Sequence, residues 1–157
     1  MTKAQTVPYI APDFSLTDEA GAVHSLSDYK GSWTVIYFYP ADDTPGCTLE
    51  ACSLRDARDD LAALGVQIVG VSKDDASSHE KFKQKHSINF TLLVDSDKKM
   101  IKAYGAWGKK MFGVEGVLRK TFILNPAGEV VKVYGRVTPM GHGEQIIAEV
   151  KALQAKA

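Results

Sequence analysis

Cysteine is scarce in this chain, with only Cys47 and Cys52 among 157 residues, so all thiol chemistry falls to a single pair. Net charge is absent as well. Nineteen basic side chains balance nineteen acidic ones, and nothing in that balance points to nucleic acid or an anionic membrane as a partner. No apolar run is long. The longest, Val35 to Tyr39, is far too short to span a bilayer, and Met1 to Pro8 lacks the apolar run of a signal peptide, so the chain reads as soluble and cytoplasmic. It has no internal repeat, low-complexity tract or long linker. With 45% hydrophobic residues, it is long enough to bury a substantial core and too short for two ordinary domains, which implies one domain over residues 1–157.

Metal-ligand spacing is also missing. His24, His79, His86 and His142 are scattered, none at ligand spacing from either cysteine, so no zinc or other metal site is expected. His79 and His86 can share a helix face, which a solvated surface explains. The glycine-rich stretch from Gly105 to Gly116 has no strand before it and no helix after it, and therefore reads as a mobile loop rather than a phosphate loop. Trp107, Met111 and Phe112 on that loop are either local packing or an apolar surface for a reducing partner.

The two cysteines lie in Tyr39-Pro40-Ala41-Asp42-Asp43-Thr44-Pro45-Gly46-Cys47-Thr48-Leu49-Glu50-Ala51-Cys52, after an apolar strand and at the start of a helix. Thr44 suits the N-cap, and Pro45 suits the first helical position because its missing N–H would have been an orphan there. Cys47 then faces unpaired N–H groups and the positive end of the helix dipole, both of which favour thiolate over thiol. Asp42 and Asp43 oppose this unless they turn away, and a cation from elsewhere would help.

In a regular helix, positions five apart have Cα atoms roughly 8.6 Å from each other, whereas a disulfide rarely tolerates more than about 7 Å. If Cys47 and Cys52 pair, the first turns of the helix must unwind. A transient bridge suits this spacing better than a permanent one, and in a reducing compartment such a pair is more often redox-catalytic or metal-binding than structural.

Elsewhere strands and helices alternate. Phe14–Leu16 and Ala22–Ser25 form a small hairpin, and Ser27–Tyr29 a helical turn closed by Gly31. Thr34–Tyr39 and Val66–Val71 read as strands covered on both faces. The Cys47 helix, with Leu54, Leu61 and Leu64 on its apolar side, stops at Gly65. Ala76–His86 is a helix anchored by Phe82, and Ser96–Tyr104 another. Thr121–Leu124 and Val130–Tyr134 form a late hairpin before a closing helix over Glu144–Leu153. By pattern alone the class is α/β.

The segment Pro40-x-x-x-Thr44-x-x-Cys47 resembles the active-site signature of peroxiredoxins. The continuation to Glu50-Ala51-Cys52 resembles the bacterioferritin comigratory protein or peroxiredoxin Q branch. Ala11-Pro12-Asp13-Phe14-Ser15-Leu16, Val35 to Pro40, and Arg119-Lys120-Thr121-Phe122-Ile123-Leu124 extend the similarity across nearly the whole chain. The resemblance implies a thioredoxin-like sandwich with an N-terminal β-hairpin extension and a thiol peroxidase without cofactor. Its substrates would be hydrogen peroxide and organic hydroperoxides. Cys47 would be the peroxidatic nucleophile and Cys52 the resolving thiol. Thr44 would orient the peroxide, Pro40 would shield the sulfur, the Gly46 and Cys47 amides would hold peroxide oxygens, and Arg119 would supply the cation. Glu50 would orient that arginine or the helix start. Thioredoxin would reopen the disulfide, and because both cysteines share one short segment the protein would work as a monomer. Two other readings stay open on the residues alone. One is a thiol–disulfide oxidoreductase, whose usual Cys-x-x-Cys is shorter than the spacing here. The other is a redox-sensing or chaperone module without turnover.

Overall fold

A computed structural model describes residues 5–110 and 113–157. Among these residues ten strands and four α-helices, with one short 3-10 turn at Leu26–Asp28, run in the order β1 Tyr9–Ile10, β2 Ser15–Asp18, β3 Val23–Ser25, β4 Trp33–Phe38, α1 Pro45–Ala63, β5 Val66–Ser72, α2 Ala76–His86, β6 Thr91–Val94, α3 Lys99–Ala103, β7 Trp107–Lys109, β8 Glu115–Val117, β9 Lys120–Leu124, β10 Glu129–Tyr134 and α4 His142–Lys156. Eight strands form one sheet in the order β1-β10-β9-β4-β5-β6-β2-β3, while β7 and β8 form a separate two-stranded ribbon. β4, β5 and β6 are parallel, as their helical crossovers require, and β9 and β10 extend the sheet antiparallel.

Alternation along β4 explains why it is central. Ile36 and Phe38 face a cluster with Val69, Val71, Leu93, Met100, Ile101, Tyr104 and Phe122, whereas Val35, Tyr37 and the following Tyr39 face one with Leu54, Leu61, Phe82, Leu92, Ile146 and Val150. A strand buried on both faces must be apolar throughout, and Val35 to Phe38 are all fully buried. The helices α1, α2 and α4 thus contribute to one face and α3 to the other.

Several expectations need correction. The stretch read as a mobile loop is paired, with Trp107 opposite Val117 and Lys109 opposite Glu115. Trp107 packs against the core, and its Nε1 donates to Glu115 Oε2 at 3.2 Å. Met111 and Phe112 lie outside the described residues. β1 and β6 carry little sequence signal, because a two-residue strand shows no periodicity and Thr91–Val94 is only four residues long. The helix expected over Ser96–Tyr104 is shorter, since Asp95 holds its start through the Ile101 amide and the turn at Lys98 is left-handed. Leu64 sits just beyond α1, where Gly65 at φ +77° ends the helix as expected. Among the described residues no helix is long and apolar enough to cross a membrane.

The contact that seats α4 on α1 depends on Gly143. A Cβ added there would stand 2.4 Å from the Ser53 carbonyl oxygen and 2.9 Å from Ala57 Cβ. Its amide donates to Ser53 Oγ at 2.8 Å. By helix propensity, Gly143→Ala would stabilise the protein slightly; here the neighbour is backbone and cannot yield, so the substitution should cost about 1–3 kcal/mol by overpacking. Urea denaturation reads the difference, and an unchanged midpoint would contradict this packing.

Candidate active site

The site forms where β4 ends. Pro40 cannot donate to the sheet and stops the strand, leaving a loop from Ala41 to Thr44 at the carboxyl ends of the parallel strands, the usual crevice of an open α/β sheet. Pro45 then occupies the first position of α1, with Gly46 and Cys47 next, as expected. Thr44 stands at the N-cap with extended backbone, but its side chain does not cap; Oγ1 donates to the Ala41 carbonyl at 2.9 Å. Its proton is therefore committed, and its lone pairs remain available.

The antiparallel register pairs Phe38 with Lys120, so Arg119 lies at the β4 end that leads to Cys47. Its Nη2 donates to Cys47 Sγ at 3.4 Å and its Nη1 to Glu50 Oε1 at 2.7 Å. Burial works against the guanidinium charge, but Cys47 and Glu50 more than offset it and hold Arg119 above its ordinary range. Gly46 permits the approach, since a Cβ there would stand 3.0 Å from Arg119 Nη2. The sulfur is 1% exposed at residue level, and Glu50 is fully buried. Burial raises the Glu50 carboxyl from 4.5 to about 7 despite the Arg119 charge beside it.

Asp42 and Asp43 are drawn away from the sulfur, which resolves the repulsion anticipated from the sequence. Asp42 accepts from Tyr39 Oη at 2.5 Å, Ser78 Oγ at 2.8 Å and His79 Nδ1 at 2.7 Å, and its amide donates to Asp74 Oδ2. Asp43, at φ +59°, is held by Lys85 Nζ at 2.7 Å and His86 Nε2 at 2.9 Å. The solvated face expected for His79 is thus wrong. Its ring is fully buried, donating through both nitrogens, to Asp42 and to the Leu93 carbonyl at 2.8 Å. Spacing could not show this, because the partner carboxylate lies on a loop distant in sequence.

Cys52, half-buried, sits further along α1, and both cysteines are free thiols. The regular helix from Pro45 to Ala63 keeps them on divergent directions. Pro40 is half-buried between strand and loop. The structure therefore gathers Thr44, Gly46, Cys47, Glu50 and Arg119 into one place, with Cys52 adjacent but out of bonding geometry. It also adds two residues that sequence reasoning missed. His142 and Thr121 are buried, with His142 Nε2 2.8 Å from Thr121 Oγ1 and 4.0 Å from Glu50 Oε2.

Residues 7–133 match the AhpC/TSA family. The chain belongs to that family. Its similarity to Peroxiredoxin Bcp of Bacillus subtilis is 42% identity over 149 residues, covering 93% of this chain and 95% of the relative. Peroxiredoxin Bcp of Escherichia coli is 37% identical over 145 residues, covering 90% and 93%. Among solved structures, Xanthomonas campestris peroxiredoxin Q matches with TM-score 0.85 at 37% identity, over 88% of this chain and 90% of that one. A mutant of Xylella fastidiosa PrxQ matches with TM-score 0.88 at 30% identity, over 96% and 99%. The fold is accordingly the thioredoxin-like peroxiredoxin fold.

The His79–Asp42 pair predicts a pH-dependent stability. Burial disfavours the imidazolium, but the Asp42 hydrogen bond and charge outweigh it and raise His79 above 6.5. A raised folded pKa means the contribution is complete below the unfolded value and is lost as pH rises through the folded one. His79→Gln should therefore cost about 3 kcal/mol at pH 6 and clearly less at pH 9. Denaturant titrations at both pH values check this, and an equal or larger loss at pH 9 would contradict it.

Proposed function

We propose that this protein is a thiol peroxidase in which Cys47 reduces hydrogen peroxide and organic hydroperoxides and Cys52 resolves the product. The observation that carries the reading is the Arg119 guanidinium within 3.4 Å of a buried sulfur at a helix start. Neither of the competing readings calls for that arrangement, and the cysteine spacing remains wrong for a Cys-x-x-Cys oxidoreductase.

The geometry supports a division of roles. Because the Thr44 proton is committed to Ala41, the hydroxyl oxygen accepts from the peroxide O–H and aligns it. Arg119 and the first-turn amides of Gly46 and Cys47 donate to the peroxide oxygens, where negative charge develops. Pro40 limits water at the sulfur. The Cys47 thiolate attacks one oxygen, an S–O bond forms as the O–O bond breaks, and the electron pair leaves on the second oxygen, which departs as alcohol or water after taking a proton. Cys47 is oxidised to sulfenic acid while the peroxide is reduced. Attack by the Cys52 thiolate on that sulfur forms the disulfide and expels hydroxide, protonated to water. The first turns of α1 unwind to allow it. An external dithiol, with thioredoxin the simplest, then exchanges with the disulfide and restores both thiols. No flavin, haem, metal or nicotinamide enters the cycle. All reacting groups come from one chain and one domain, so the protein is proposed to act as a monomer in the cytoplasm.

Two substitutions separate these roles. Cys47→Ser should abolish peroxide consumption, whereas Cys52→Ser should consume about one equivalent and stall when thioredoxin is the sole reductant. Undiminished steady-state turnover of Cys52→Ser would remove Cys52 from the cycle. Arg119→Met should slow the single-turnover reaction by roughly 100-fold or more, the scale for losing a charge-stabilising donor. Stopped-flow consumption of peroxide measures it, and an unchanged rate would place Arg119 outside the chemistry.

A further inference from the structure

Behind the sulfur lies a buried polar compartment that the peroxidase reading leaves without a task. Glu50 accepts Arg119 Nη1 on Oε1, but its Oε2 has no hydrogen-bond partner among the described residues. That oxygen lies 4.0 Å from His142 Nε2, and the side chains of both residues are fully shielded from solvent. The His142 ring is fixed from three sides: Thr121 Oγ1 at 2.8 Å from Nε2, Gln145 Oε1 at 2.9 Å from Nδ1, and the edge-on Tyr134 ring at 5.2 Å between centroids. With Gln145 Oε1 as acceptor, the ring proton sits on Nδ1 and the Nε2 lone pair receives the Thr121 hydroxyl. Thr121 is two residues from Arg119, so β9 and the start of α4 bring the imidazole to the carboxyl that holds the guanidinium.

We propose that His142 is a positioning residue that, as a neutral polar neighbour, governs whether Glu50 keeps its proton and thereby sets how much of the Arg119 charge is directed at Cys47. This rests on the peroxidatic reading of Cys47. One guanidinium faces two groups able to carry negative charge, the Cys47 sulfur and the Glu50 carboxyl, in a space closed to water. When Glu50 holds the proton, Arg119 is left with the sulfur as its only anionic partner. When Glu50 has lost it, a carboxylate competes for the same cation and repels the thiolate. The proton leaves Glu50 for solvent when local opening admits it; it does not enter the bond-making step.

The charges around the pair agree with this. Glu50 faces Cys47 on its own helix, Arg119 ahead of β9, Tyr37 on β4 and His142 on α4. His142 faces Arg119, Thr121, Tyr134 and Gln145 in addition. Burial lifts the carboxyl to about 7, against the pull of Arg119. Burial also lowers the imidazole, an effect that the Gln145 bond opposes and the Arg119 charge reinforces. The proton therefore stays with the carboxyl, and His142 faces Glu50 Oε2 as a neutral ring.

The test combines infrared titration of the reduced protein with the pH profile of Cys47 alkylation, both in the Cys52→Ser background. The parent should show a carboxylic-acid band, absent in Glu50→Gln, that disappears near pH 7, and its alkylation profile should carry a second inflection at the same pH. His142→Phe should move both inflections upward by about half a unit or more, because the carboxyl loses a polar neighbour. His142→Gln, which keeps an amide close to the Nε2 position, should restore them. A merely structural histidine would change stability and leave the inflections where they were. The proposal is overturned if Glu50→Gln removes no band, or if His142→Phe leaves both inflections in place while remaining folded. If the titration is present but the protein consumes no peroxide, the pair stands and the peroxidase reading falls.

Discussion

One guanidinium, shared between the Cys47 sulfur and the Glu50 carboxyl, is the interaction on which the rest of the site depends. Both partners lie on α1, so Arg119 binds only when the first turns of that helix are formed. Helix formation and charge placement at the sulfur are consequently one event. The fold delivers the guanidinium through the antiparallel register of β9 on β4, and it keeps the guanidinium's path clear with a glycine at position 46.

Around that centre the chain separates what must stay fixed from what must move. The loop before α1 is tied to α2, through His79 and Ser78 on Asp42 and through Lys85 and His86 on Asp43. The later part of α1 is held by fully buried Leu54 and Leu61, and Arg55 Nη1 donates to the His86 carbonyl at 2.6 Å. Between these anchors, Gly46 and Thr48 are weak helix formers. The segment that carries both cysteines buries Cys47, Glu50 and Ala51, and its polar ties to the rest of the fold run through Arg119 and through Ser53, which meets α4 at Gly143.

Legibility in the sequence followed the range of the interaction. The start of α1 could be read because Thr44, Pro45 and the cysteines are contiguous, and β4 because burial on both faces leaves an unbroken apolar run. The need for a cation could be inferred from Asp42 and Asp43, and the family resemblance pointed to Arg119. The actual fate of those aspartates could not, since His79 reaches Asp42 across the fold. His142 carried no signal either: alone at a helix start, far from the cysteines in sequence, it gains meaning only when α4 docks on α1 through Gly143. The ribbon of β7 and β8 was missed because three-residue strands among glycines show no alternation. Thr44 was placed correctly but its hydroxyl bonds backward to Ala41, a choice between equivalent local acceptors that composition does not encode.

The central claim is that the helix which assembles the peroxide site must come apart for Cys47 and Cys52 to meet. Hydrogen exchange of the reduced and disulfide forms tests it most directly. Amides from Cys47 to Leu54 should lose protection in the disulfide form while Val35 to Phe38 in β4 stay protected. Equal protection of the helix in both forms would contradict the account.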